Sequence, residues 1–213
     1  MWKNQKVSVV FSTYNEKESI RGSIDEFFNT GYVDEIIVIN NNAAEGTDEE
    51  VKKTKAKLFH EKKQGYGHGY QRALKEATGD LIIMSEPDGT FVGNDVLKLL
   101  SYSDDFDAVF GTRTSRSLIW EGANMGLFLK YGNFFVAKLI ELLFNTNQLT
   151  DAGCTMRLIN RNIYENIKNK FTIGTSYFGP EMMILVILSK AKFTEIPLNY
   201  KKRIGKSSVT GSF

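Results

Sequence analysis

Two acidic side chains, Glu86 and Asp88, follow the apolar run Ile82-Ile83-Met84 with one residue between them. Carboxylates so placed at a strand exit can both reach a hard cation, and such a cation neutralises a diphosphate whose bond must break. Pro87-Asp88-Gly89 is also the composition of a polar turn closing a strand, and taken alone it fits that turn better. Two earlier apolar runs end in similar polar groups, Ser12-Thr13-Tyr14-Asn15-Glu16 and Asn40-Asn41-Asn42. A ring flanked by amides and carboxylates suits a nucleobase and ribose, although Asn and Glu also serve simply as helix caps. Arg113, Arg157 and Arg203 each read as a solvated charge in isolation. Beside a metal-binding pair, their guanidinium forks fit the oxygens of a phosphorylated substrate.

Other groups carry less chemistry. Gly65, Gly67 and Gly69 precede a helical pattern, but the third glycine comes one residue early for a dinucleotide fingerprint and the loop belongs to the third βα unit. No Gly-Lys-Ser/Thr follows, which excludes a phosphate loop and leaves a helix N-terminus whose amides could approach a phosphate. His60 and His68 lack metal-ligand spacing, and the single cysteine, Cys154, excludes an internal disulfide and reads as a small buried hydrophobe.

The elements that must position these groups alternate. Strands are expected at 6–12, 34–40, 57–61, 82–85 and 107–112, with helices at 17–30, 49–57, 70–78 and 94–102 between them. Such alternation predicts a mostly parallel sheet covered by helices on both faces, with ligands at the carboxyl ends of the strands. It stops after Arg113. Residues 125–144 form one long amphipathic helix with Tyr131, Phe135, Leu139 and Leu142 among its apolar positions; a core helix is the simpler reading, a helix on a membrane surface the other. A strand at 154–159, a helix at 161–169, a helix opening at Pro180 and a strand at 192–197 complete the chain. The basic, glycine-containing stretch 201–208 could close over the site.

With 213 residues, 42% of them hydrophobic, the chain can fold as one domain, 1–213, around a substantial core. A formal charge of +2 gives no case for nucleic-acid binding. Neither a leader nor an apolar run of about 20 residues is present, which points to a cytoplasmic protein. The end at Ser207 to Phe213 has no terminating element, as expected of a catalytic segment of a longer protein.

In order along the chain, Thr13-Tyr14-Asn15-Glu16, Asn40 to Thr47, Gly65-Tyr66-Gly67, Ala77-Thr78-Gly79-Asp80, Glu86-Pro87-Asp88, Gly111-Thr112-Arg113, Asp151 to Arg157 and Tyr200 to Ser207 resemble family 2 glycosyltransferases. Within them the chain is most similar to the polyprenyl-phosphate sugar transferases related to dolichol-phosphate mannose synthase. The resemblance spans about Lys6 to Ser208 and implies a three-layer α/β/α GT-A fold with a mostly parallel central sheet. It implies a nucleotide-binding half at about 1–113 and an acceptor-binding half at about 114–213. Thr13, Tyr14, Glu16, Asn40, Asn41 and Gly67 would then contact a nucleotide-sugar donor. Asp88 and Glu86 would hold Mg²⁺ or Mn²⁺, and Arg113 and Arg203 would face phosphates. The chain departs from the family at Glu86, and at Asn40 and Asn41, where aspartates are usual.

The implied reaction is inverting and metal-dependent: an acceptor oxygen attacks the sugar C1 opposite a departing nucleoside diphosphate. A lipid monophosphate acceptor, with a second pKa of about 6, arrives anionic and needs no base. A glycan hydroxyl would need one, for which Asp151 or Glu181 are candidates. A lipid acceptor implies a role in cell-envelope glycans and peripheral contact with the inner face of a membrane; the oligomeric state is left open. The rivals are a sugar-phosphate nucleotidyltransferase, which needs a glycine-rich loop that Phe11 to Lys17 lacks, and a catalytically impaired nucleotide-sugar-binding module.

Overall fold

The computed structural model describes residues 1–123 and 127–205. The expected helix start at Met125, and Lys206 to Ser208 of the basic stretch, lie outside the described residues. The alternating half is β1 (Val7–Thr13), α1 (Ile20–Phe28), β2 (Glu35–Asn40), α2 (Thr47–Lys52), β3 (Lys57–His60), α3 (Tyr66–Glu76), β4 (Leu81–Met84), α4 (Asp95–Tyr102) and β5 (Ala108–Thr112). There follow α5 (Leu127–Phe144), β6 (Arg157–Asn160), α6 (Arg161–Ile167), α7 (Phe178–Leu188) and β7 (Phe193–Pro197).

The strands form one seven-stranded sheet in the order β3-β2-β1-β4-β6-β5-β7, so β6 and β7 of the second half complete the sheet of the first. Pairing is parallel except for β6, which runs antiparallel to both β4 and β5. Successive strand residues point to opposite faces, and both faces are apolar. Val7, Val9 and Phe11 of β1, with Leu81 and Ile83 of β4, pack under α1 and α4 through Ile24, Phe27, Val96 and Leu99. Val10, Ile82 and Met84 face the other way, against Tyr70 and Leu74 of α3 and Met182 and Val186 of α7. Each fully buried side chain of this kind contributes roughly 1.5–3 kcal/mol, and two such layers produce the expected α/β/α sandwich.

The observed boundaries differ from expectation where tertiary contacts intervene. Helix α3 begins at Tyr66, four residues early, because Gly174 O accepts from Gly67 N at 2.8 Å and His68 N at 3.2 Å and so caps its first turn. Only glycine permits this approach, since a Cβ on Gly67 would lie 2.4 Å from Ile173 O. Pro180 is the third residue of α7, not the first; its missing N–H costs nothing anywhere in that turn. Strand β6 starts at Arg157 and not at 154, because residues 151–156 form a loop. Helix α5 is not a plain core helix. Ala137 and Ile140 are buried, yet Tyr131, Phe135, Leu142 and Leu143 are 65%, 69%, 78% and 67% exposed, leaving an outward apolar face. No described helix is long and apolar enough to cross a membrane.

Glu35, buried at the start of β2, ties the sheet to the turn after α3. It accepts from Ser8 Oγ at 2.6 Å, Thr78 N at 2.6 Å and Thr78 Oγ1 at 2.7 Å, and pairs with Lys57 at 2.9 Å and Lys6 at 3.2 Å. Burial pushes its pKa up, but the bonds from Ser8, Lys57 and Thr78 outweigh burial and hold it far below 4.5. The folded chain binds this proton more weakly than the unfolded chain. Its contribution is therefore complete above the unfolded pKa of 4.5 and is lost as pH falls toward the folded value. Glu35→Gln should cost roughly 1–3 kcal/mol in urea unfolding at neutral pH and progressively less as pH falls below 4.5; a loss that does not change with pH would assign the effect to shape, not charge.

Candidate functional site

The chain leaves β1 toward β2 and β3, then returns to place β4 on the other side of β1, so the carboxyl ends of β1 and β4 flank a topological switch point. A cavity of about 490 Å³ opens there, lined among others by Tyr14, Glu16, Tyr66, Glu86 and Arg203.

Glu16 organises the exit of β1. Its Oε2 accepts from Tyr14 N at 2.7 Å, Asn15 N at 2.9 Å and Thr13 Oγ1 at 3.2 Å. Its Oε1 accepts from Arg203 Nη2 at 2.6 Å, while Arg203 Nη1 lies 2.8 Å from Asp88 Oδ2. Asp88 is 1% exposed, and its Oδ1 accepts from Thr90 N at 2.9 Å and Thr90 Oγ1 at 2.6 Å. The arginine arrives on a strap that follows β7: Lys201 N donates to Thr90 O at 2.7 Å and Ile204 N to Asp88 O at 2.9 Å. Gly89, at φ +79°, makes the tight turn against which Ile204 packs. Arg203 lines the cavity, and its Nε is buried with no partner among the described residues.

Glu86 differs from Asp88. Its Oε1 accepts from Thr155 Oγ1 at 2.7 Å, and Thr155 in turn meets Tyr66 Oη at 2.6 Å. Burial and then the neighbouring Asp88 push its pKa up to about 7, against the pull of Thr155, Arg113 and Arg203. Asp88, buried and already drawn to a guanidinium, disfavours the charge on the half-buried Glu86, so the two form a hard-oxygen pair at which an added cation would be favoured. Among the described residues no group of three His, Cys, Asp or Glu is placed so that all three could hold one metal ion. A carboxylate pair that leaves other positions to substrate phosphates fits Mg²⁺ or Mn²⁺.

Arg113, after β5, and Asp151 form a second ion pair, with Nε to Oδ2 at 2.8 Å and Nη2 to Oδ1 at 2.9 Å; Arg113 N also donates to Oδ2 at 3.0 Å. Arg113 lies over the Tyr200 ring at 5.2 Å. Burial acts to raise the Asp151 pKa, but Arg113 more than offsets it and keeps the carboxylate ionised; the same pair holds the arginine charged. Glu195 Oε1 accepts from Asp151 N at 3.0 Å and fixes the loop.

The structure thus brings together Thr13, Tyr14, Glu16, Asn41, Glu86 and Arg203 around one cavity, with the buried Asp88 paired to Arg203 behind them and Arg113 close enough to act on the Glu86 charge. Several expected contacts are spent internally. Asn41 Nδ2 donates to Glu61 O at 2.9 Å and Lys63 O at 2.8 Å, and its Oδ1 accepts from Gly65 N at 2.9 Å. Asn40 bonds Asp48 at 2.6 Å and Ala43 N at 2.7 Å. The α3 amides expected to be open to phosphate, Gly67 N included, are taken by Gly174 O. Arg157 is buried and donates to Gly179 O and Cys154 O, so it braces loops instead of facing a substrate. Glu181 accepts from Thr172 N and Oγ1 and from Ile173 N, away from the cavity. Sequence reasoning missed Tyr66, Thr155, Gln64, Thr175 and Ser176 as lining or supporting groups. Tyr66 and Thr155 lay inside motifs already singled out; Thr175 and Ser176 had no signal, because only the Gly174–Gly67 contact brings their loop here.

A family model described as Glycosyl transferase family 2 matches residues 8–168. The low-salt glycan biosynthesis hexosyltransferase Agl6 of Haloferax volcanii is 26% identical over 212 residues, which is 95% of this chain and 49% of that protein, so the chain spans about half its length. A dolichyl-phosphate hexose transferase of the same organism is 22% identical over 204 residues, 95% of this chain and 86% of that one. Among solved structures, glucosyl-3-phosphoglycerate synthase from Mycobacterium tuberculosis, in complex with Mn²⁺, uridine diphosphate and phosphoglyceric acid, superposes with a TM-score of 0.73 at 14% identity, over 96% of this chain and 72% of that one. At that identity the likeness concerns architecture, and the shared architecture is the expected GT-A fold.

The Arg113–Asp151 geometry makes a prediction that separates a structural carboxylate from a general base. Asp151→Asn leaves a mostly buried guanidinium uncompensated and should cost about 3–5 kcal/mol in chemical unfolding. Unchanged stability with lost turnover would return Asp151 to the role of base.

Proposed function

The chain belongs to glycosyltransferase family 2, and from that footing we propose that it transfers a sugar, with inversion at C1, from a nucleotide-sugar donor to a polyprenyl phosphate. The observation that carries this reading is the meeting of Glu86, Arg203 and Tyr14 in one cavity at the β1–β4 switch point, with the buried Asp88 paired to Arg203 behind its wall. Tyr14, 42% exposed, offers a ring on which a nucleobase can stack. Glu86 and Asp88 would hold Mg²⁺ or Mn²⁺, and that ion when bound neutralises charge on the diphosphate.

The chain's own residues supply the rest. Arg203 lines the cavity and spans Glu16 and Asp88, so its fork can turn to diphosphate oxygens without leaving the cavity. An acceptor phosphate oxygen donates a lone pair to C1 as the C1–O bond to the nucleoside diphosphate breaks; the leaving group takes that electron pair and no proton moves. Asp151, the base a hydroxyl acceptor would need, has both oxygens engaged by Arg113, which supports the phosphate acceptor. In this reading residues 1–113 carry most of the donor side, joined there by Arg203, Thr175 and Ser176, and the remaining residues from 114 onward carry the acceptor side.

The dolichyl-phosphate hexose transferase relative and the exposed α5 face support a lipid acceptor. Tyr131, Phe135, Leu139, Leu142 and Leu143 present a continuous apolar surface, suited to a bilayer interface, on the helix packed against the Asp151 loop. The Arg203–Asp88 pair, which spends a metal-site carboxylate, favours a second reading: a module that binds a nucleotide-sugar without transferring it.

Arg203→Ala and Arg113→Ala should each lower turnover with polyprenyl phosphate by about 100-fold. Unchanged turnover in both variants overturns the phosphate-acceptor assignment, and tight donor binding with no turnover by the parent protein favours the module. Phe135→Glu with Leu142→Glu should abolish co-sedimentation with lipid vesicles while leaving donor binding intact; retained sedimentation removes α5 as the membrane contact.

A further inference from the structure

The cavity rim beside Gly65 carries a polar group, Gln64, whose hydrogen-bonding direction is set by the fold. The asparagines at the end of β2 have nothing to offer a base: Asn41 donates to Glu61 O and Lys63 O and accepts from Gly65 N, and Asn40 is closed on Asp48 and Ala43. Gln64, at the cavity rim next to Gly65, differs. Its Oε1 accepts from Asn42 Nδ2 at 2.9 Å, and the same Asn42 Nδ2 donates to Lys62 O at 3.2 Å. A backbone carbonyl only accepts, so the amide nitrogen of Asn42 must face it, and the group that Gln64 turns toward that nitrogen must be its oxygen. The Gln64 Nε2 is then left with two hydrogens and no acceptor among the described residues. Asn42 itself stands at φ +57°, a backbone conformation that asparagine tolerates better than most residues and that brings its side chain to both partners.

We propose that Gln64 is a specificity-determining residue that presents a donor to the edge of the nucleobase and so selects donors with a keto base, uracil, thymine or guanine, over those with an amino base, cytosine or adenine. The proposal rests on the reading of this cavity as a nucleotide-sugar site. Uracil and thymine O4 and guanine O6 accept a hydrogen bond, whereas cytosine N4 and adenine N6 donate. Against Gln64 Nε2 the amino bases meet donor with donor, losing one hydrogen bond and leaving two polar groups unpaired.

The experiment measures equilibrium binding of UDP, CDP, GDP and ADP by calorimetry in the presence of Mn²⁺, so that each keto base has an amino partner of its own size. The parent protein should bind UDP over CDP, and GDP over ADP, by about tenfold. Gln64→Ala should level both ratios, and Gln64→Glu, which presents an acceptor, should turn them toward CDP and ADP. Asn42→Ala frees the Gln64 amide to rotate and should also level them, although Asn42 does not line the cavity. Equal binding of keto and amino partners by the parent protein, or ratios that persist in Gln64→Ala, overturn the proposal. Failure of all four nucleotides to bind removes the nucleotide site itself, and the proposal with it, which is a different result from binding without discrimination.

Discussion

The site depends on a charge balance at the carboxyl ends of β1 and β4. Glu16 and Glu86 line the cavity there with Asp88 buried behind them, and among the described residues no histidine or lysine lines the cavity. Arg203 supplies the compensation, with one nitrogen on Glu16 and another on Asp88. Negative charge gathered in such a crevice is stabilised by a cation placed within hydrogen-bonding reach. The C-terminal strap is therefore part of the site: Lys201 and Ile204 tie it by backbone bonds to Thr90 and Asp88, and the guanidinium stands beside the carboxylates meant for a metal. The same requirement makes Glu86 the sensitive partner, since it lacks a cation of its own and leans on Thr155.

Asp151 and Arg113 answer the same problem on the acceptor side, in the opposite way. Their bidentate pair is closed on itself and braced by Glu195 and Tyr200, so it shapes a wall instead of offering a free charge. Arg203 bridges two carboxylates at the cavity, whereas Arg113 is closed on one. Helix α5 packs its Ala137 and Ile140 side inward, in one core cluster with Ala152, and turns its apolar side outward.

Where sequence reasoning succeeded and where it failed follows from the range of the interactions. Ile20, Ile24 and Phe27 at helical spacing, and the alternating Val7 to Phe11, report their burial through local periodicity, and α1 and β1 fell where expected. The start of α3 was misplaced because its cap comes from Gly174, more than a hundred residues away. Residues 154–159 looked like a strand throughout, yet only Arg157–Asn160 pair with β4 and β5, as the preceding loop must reach Arg113 and Glu86.

The sequence by itself determined the layered α/β fold and singled out the polar strand exits with Glu86, Asp88, Arg113 and Arg203 as candidates, because apolar periodicity and polar residues at run ends are local properties of the chain. Tertiary structure decided which of those groups remain available. Asn40 and Asn41 became scaffold, Asp151 became the partner of Arg113, and Gln64 gained its direction from Asn42 and Lys62. A polar side chain has a fixed number of donors and acceptors, and only the folded packing determines whether its neighbours or a ligand will fill them.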